Sequence, residues 1–199
     1  MLKKLTQKKY DKLNLKCRGA NGWLDLSNYT DFTDIKEFSS KIRFGSDCRF
    51  GSDCIFGNAC RYGDGSSFGD YCSFGNACSF GDYCRFGDFC SFGSGCSFDI
   101  ACRFGYATSF GDNIKIFGKT LINYLRFGGF GSRINTDTYF YNCREGIYVQ
   151  CGCFSGSLDE FIERVKSEKG DSFYLEICEL AVRKFESLEV NKEKKGESE

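Results

Sequence analysis

Cysteines at positions 48, 54, 60, 72, 78, 84, 90, 96 and 102 recur at a period of six. So dense an array of thiols raises disulfide, redox and metal chemistry at once. The register itself argues against all three. Ile42, Ser66 and Thr108 stand in the same slot as these cysteines, and a metal or disulfide site would not tolerate them, whereas a buried slot for small residues would. Activating a thiolate also needs nearby positive charge or a metal. The basic N-terminus has no apolar run long enough for a signal peptide, and no later stretch is long enough to span a bilayer. A soluble, cytoplasmic protein with reduced thiols is therefore expected.

A second group, Cys143, Cys151, Cys153 and Cys178, offers the four sulfurs of a tetrahedral zinc site. The paired Cys-x-x-Cys knuckles usual for such sites are absent, and a Cys-x-Cys on one strand puts both side chains on one face, which packing also explains. The metal assignment is therefore none, with these four as the candidates to watch, and no cofactor is expected.

Other chemistry is limited by what is missing. The chain has no His, so the default base near neutral pH is absent. Lys plus Arg balance Asp plus Glu at 27 each, which makes a nucleic-acid partner unlikely and gives no attraction to a membrane. The Gly-containing stretches match no phosphate-cradling motif.

The elements that position these residues follow from a second series. Aromatic residues stand at 44, 50, 56, 62, 68, 74, 80, 86, 92, 98, 104 and 110, and Gly follows each except Phe98, where Asp99 takes its place. A period of six with two inward positions is not helical. It fits a short strand, Cys in, polar out, Phe in, followed by a Gly-assisted corner, and repetition of that unit marks a β-solenoid.

The stretch "FGDYCRFGDFCSFGSGC" resembles the hexapeptide repeat of the left-handed β-helix superfamily, over residues 42 to about 118. Phe replaces the family's usual aliphatic residue. The resemblance implies a mainly β chain folded as a left-handed parallel β-helix, with three hexads per coil and residues 18 apart stacked. Inward columns would then be Phe50, Phe68, Phe86, Phe104; Phe56, Phe74, Phe92, Phe110; and Phe44, Tyr62, Phe80, Phe98. Neighbouring cysteines in a column, such as Cys84 and Cys102, would lie within the Cα range of disulfides, but packing is the preferred role. The superfamily also implies a homotrimer.

On that scheme function lies on the outward positions. One face carries Arg49, Ser67, Arg85 and Arg103; a second Ile55, Ser73, Ser91 and Ser109; a third Arg43, Arg61, Ser79, Ser97 and Lys115. An Arg stack can hold phosphate or carboxylate through forked hydrogen bonds. The preferred reading of the stack has corner residues Asp70, Asp82 and Asp88 neutralising it as a surface ion-pair network. Tyr71 and Phe89 share one corner place a coil apart, Tyr83 stands at a neighbouring corner, and Ile100 and Tyr106 add apolar groups. Such exposed groups mark a contact surface.

The ends differ from the repeat. Residues 1–41 read as an N-terminal cap of irregular or short strands with Trp23 as a plug, and 42–130 as the β-helix. Residues 131–190 read as a small α+β segment: a hairpin turning near Arg144, Glu145 and Gly146, a helix from Leu158 capped by Ser157 and Glu160, and a second helix with Phe173, Ile177, Leu180, Ala181 and Phe185 on one stripe. The charged stretch 191–199 reads as a disordered tail. "GSR" followed by "CGCFSGSLDEF" is similar to tails of uncharacterised repeat proteins of phages and prophages of gut bacteria, which implies no known chemistry.

The resulting expectation is a non-enzymatic binding or structural module, its ligand a small anion such as a nucleotide held by Arg49, Arg85 and Arg103 with Tyr71 or Phe89 stacking. A phage-encoded protein of this kind would sequester a host signal molecule. The alternative is a CoA-dependent acyltransferase of the hexapeptide-repeat type without its usual His.

Overall fold

The structure, a computed structural model, describes residues 3–128, 137–168 and 172–196, with side chains of the last helix described to residue 188. The "GSR" motif and the end of the 42–130 segment lie outside the described residues. The chain forms two compact units, Met1–Gly118 and Lys119–Glu199.

The first unit is a β-solenoid of two-residue strands stacked in parallel. Leu24–Asp25, Ile42–Arg43, Arg61–Tyr62, Ser79–Phe80, Ser97–Phe98 and Lys115–Ile116 form one ladder. Glu37–Phe38, Ile55–Phe56, Ser73–Phe74, Ser91–Phe92 and Ser109–Phe110 form the second. The third runs from Lys4 through Asp31, Arg49, Ser67 and Arg85 to Arg103. Partners in the repeat are 18 residues apart, so three hexads close one coil, and the unit holds about five coils.

The interior is three columns of parallel rings. Phe56 stacks on Phe74 at 4.7 Å between centroids and 1° between planes, and Tyr62 on Phe80 at the same distance and angle. Rings from adjacent faces meet edge to face, as Phe74 does Phe80 at 5.1 Å and 88°. Offset and edge contacts of this kind add about 0.5–1.5 kcal/mol per pair to the burial of the rings. From Cys48 to Cys102 a coil has room for three aromatic rings because the slot between them holds only Cys or Ser, while Ile42 and Ile114 take the slot at either end.

That slot is more than a spacer. The Cys90 thiol donates to the corner carbonyl of Gly69 at 3.5 Å, Cys96 to Gly75 at 3.3 Å and Cys102 to Gly81 at 3.3 Å, each on the coil before. Ser66 and Thr108, in the same slot, donate through their hydroxyls to Gly63 and Gly105 at 2.9 Å. Cys, Ser and Thr therefore interchange because each is small and each carries a donor for the corner carbonyl. Burial pushes Cys48 up to about 12, while a neighbouring thiol of the same column, followed by burial, raises Cys54 and Cys102. Cys48, Cys54 and Cys102 are thereby held as thiols, whereas the hydrogen bond from a neighbouring thiol lowers Cys60, Cys72 and Cys96; every cysteine is free of disulfide bonds.

The corners divide their work in a way the repeat does not advertise. The sequence assigns the turn to Gly, but the left-handed residue stands two places after it: Ala77 has φ 56°, Tyr83 58° and Phe89 57°. Gly is needed instead for close approach, since a Cβ on Gly75 would come within 2.8 Å of the Asn58 backbone nitrogen. The residue between them clips successive coils. Asp64, Asp70, Asn76, Asp82 and Asp88 each accept, through Oδ1, the backbone N–H of the residue 18 further on, at 2.6–3.0 Å.

At the N-terminal end a helix, α1 (Gln7–Lys16), stands where the sequence suggests irregular chain or strands. Its Tyr10 packs edge-on against Phe38 at 5.4 Å and 66° and closes the ring columns together with the fully buried Leu5. Trp23 is not the plug: it lies half-buried at the surface with the Arg61 guanidinium over its ring. The arrangement follows from alternation, since Leu24, next in the chain, takes the inward place.

The second unit is a four-stranded antiparallel sheet, Lys119–Phe127, Thr138–Cys143, Gly146–Cys151 and Phe154–Ser157, with helices α2 (Leu158–Ser167) and α3 (Phe173–Gly196). Cys143 pairs with Gly146 across the two-residue turn Arg144–Glu145, and the Ser157/Glu160 capping box is complete. The core combines Phe140 and Val149 with Phe161, Val165, Ile177, Cys178, Ala181 and Phe185. Phe173 and Leu180 of the expected stripe are exposed instead, and Cys178 takes the inward place. α3 continues to Gly196, through most of the charged stretch that reads as a tail. Among the described residues no helix is long and apolar enough to cross a membrane.

Candidate functional site

The solenoid places Arg49, Ser67, Arg85 and Arg103 on successive rungs of one face, all three guanidinium groups exposed. Like charges directly opposite on neighbouring strands destabilise a sheet, and Arg85 and Arg103 are such neighbours. Corner carboxylates do not relieve them. Asp70, Asp82 and Asp88 spend one oxygen on backbone N–H groups of the next coil. The ion pairs among the described residues are Lys4–Asp34, Arg126–Asp137 and Arg164–Glu168, none of which involves Arg49, Arg85 or Arg103; Asp31 is the rung opposite Arg49, and the two charges attract. The corner-carboxylate network preferred from the sequence as the role of the Arg stack is therefore not formed at Arg85 and Arg103.

Exposed aromatics rim this face. Tyr71 stacks on Phe89 at 5.0 Å and 2°, and Tyr106 meets Phe89 edge-on at 5.8 Å and 83°. Tyr71, Phe89 and Tyr106 are 58%, 46% and 67% exposed. Along one coil Tyr83, Arg85 and Phe89 mark one corner, the centre of the strand and the next corner. Tyr83 and Phe89 reach outward because both occupy the left-handed corner position. The sequence identifies Tyr71 and Phe89 as a pair; that Tyr106 extends them one coil further emerges only from the stacking, because it occupies a different place in its hexad.

The four C-terminal sulfurs are dispersed. Cys151 and Cys153 flank Gly152 (φ 60°) in the turn joining Gly146–Cys151 to Phe154–Ser157, so they are not on one strand. Cys151 accepts from the Thr138 hydroxyl at 3.2 Å and packs against the core that contains Cys178. Cys143 sits at the other end of its strand, with Tyr139 and Tyr141 by alternation, and burial pushes it up to about 12. Burial likewise raises Cys178 to about 11. Among the described residues no three His, Cys, Asp or Glu side chains are grouped to hold a metal.

Compared with known proteins, the chain matches no protein family, no curated protein and no solved structure.

Proposed function

We propose that the protein is a non-catalytic β-solenoid module that binds a small anion, a nucleotide being the class to test first, on the face carrying Arg49, Arg85 and Arg103. One observation supports the reading above the rest: Arg85 and Arg103 are adjacent rungs without a carboxylate partner, beside the exposed Tyr71–Phe89 stack. Guanidinium forks suit phosphate oxygens and an aromatic ring suits a base. Likeness to the left-handed hexapeptide-repeat superfamily makes a homotrimer the assembly to look for, and a phage origin would fit capture of a host signal molecule.

A thermal-shift screen of nucleotides tests the proposal. A stabilising ligand is expected whose shift is lost in Arg85→Gln and in Tyr71→Ala, both exposed substitutions that leave the core intact. Silence across the screen refutes anion binding, and consumption of acetyl-CoA with any of a panel of amines, sugars or drugs refutes the non-catalytic reading.

A further inference from the structure

A concave surface lies at the N-terminal end of the solenoid, on a different face from the Arg49–Arg103 stack. It encloses about 480 Å³ and is lined by Cys17, Asn21, Trp23, Asp25, Arg43 and Arg61, among others, within the size range of small-ligand sites. Arg43 and Arg61 are adjacent rungs of the ladder that begins at Leu24–Asp25. The Arg61 guanidinium lies 4.8 Å from the Trp23 ring centroid. Stacking engages the flat face of a guanidinium and leaves its in-plane N–H fork free. Neither arginine belongs to an ion pair among the described residues. The Asp25 carboxylate in the lining is the rung opposite Arg43 and accepts the Ser27 N–H at 2.9 Å; the hydrogen bonds from Ser27 first, and then attraction to Arg43, hold it below the usual carboxylate range.

The wall opposite the ladder is built rather than loose. Gly19 N–H donates to Trp23 O and Gly22 N–H to Gly19 O, both at 2.8 Å. Asn21 Oδ1 accepts the Trp23 N–H at 3.2 Å. Arg18 ties this loop to the solenoid by donating to the carbonyls of Gly22 and Ser40 and to the side chains of Asn14 and Ser39. The groove therefore presents one fixed guanidinium, a second beside it, an indole wall and a net positive charge.

We propose that this groove is a binding site for a small phosphate-bearing anion, separate from the Arg49–Arg103 face. Its occupant is small because the volume is small.

Trp23 is the only tryptophan, so its fluorescence reports this groove alone. Titration with inorganic diphosphate is expected to change that emission saturably, with Kd below about 1 mM, and equilibrium dialysis of labelled diphosphate should give the same constant. Arg43→Gln should weaken binding at least about tenfold, Arg61→Lys should weaken it although the charge is kept, and Arg85→Gln should leave it unchanged. Bound diphosphate should also slow alkylation of the rim thiol Cys17 while leaving the exposed Cys153 unaffected. No binding in dialysis, undiminished binding in Arg43→Gln, or equal binding of citrate would each overturn the proposal. Loss of binding in Arg85→Gln would instead assign the anion to the other face.

Discussion

Replacing Cys90 by Thr and by Val separates two accounts of the thiol columns. Both substitutes are β-branched and similar in volume, but only Thr carries a donor. If the slot is a matter of packing alone, Val is the better replacement, because burying an uncompensated hydroxyl costs about 1–3 kcal/mol. If the slot supplies a donor to the corner carbonyl, Thr is the better one. The Cys90 thiol donates to Gly69 O at 3.5 Å, and Thr108 shows a hydroxyl in the same slot reaching its own corner carbonyl at 2.9 Å. An ordinary hydrogen bond of this kind contributes about 0.5–1.5 kcal/mol net. Thr should therefore exceed Val by about 1 kcal/mol, or roughly 2–8 °C in Tm. Urea unfolding followed by circular dichroism measures the difference, with an equal denaturant slope in both variants needed for the comparison. A Val variant as stable as the Thr variant, or more so, would refute the donor role and return the cysteines to simple space filling.

Further outcomes follow from the same core. The Tyr62 hydroxyl is buried with the weak Cys60 thiol as its neighbouring polar group, so Tyr62→Phe should raise stability by about 1 kcal/mol in chemical denaturation. A fall would show that the hydroxyl is satisfied. Ala77 holds φ 56°, so Ala77→Gly should be neutral to stabilising by up to about 1 kcal/mol, and a clear loss in the same assay would contradict the strain. Asp99 is raised above the ordinary carboxylate range by burial first and by the charges of Asp82 and Asp64. The folded state then holds the Asp99 proton more tightly than the unfolded chain, so this group's contribution falls as pH rises from about 4 through its folded pKa. Asp99→Asn should melt above the wild type at pH 7, with the gap closing toward pH 3. A gap independent of pH would discard the electrostatic cause.

The sequence alone determined the solenoid, because a six-residue alternation of small, polar, aromatic and Gly positions has one economical solution: short strands whose inward residues stack from coil to coil. Phe56, Phe74 and Phe92, and Cys72 with Cys90, take the inward places their spacing assigns. Arg85 and Arg103 are legible as one face for the same reason, as is the helix opened by Ser157 and Glu160. Tertiary structure decided what the repeat leaves degenerate. Whether Asp70 faces an arginine or clips the next coil depends on where the left-handed corner aims its oxygen, and the backbone N–H of Asp88, 18 residues on, is the nearer partner at 2.8 Å. Whether Trp23 plugs the barrel or walls a groove depends on which neighbour takes the inward place, and Leu24 does. These choices are made by contacts between coils, whose energies no single hexad contains.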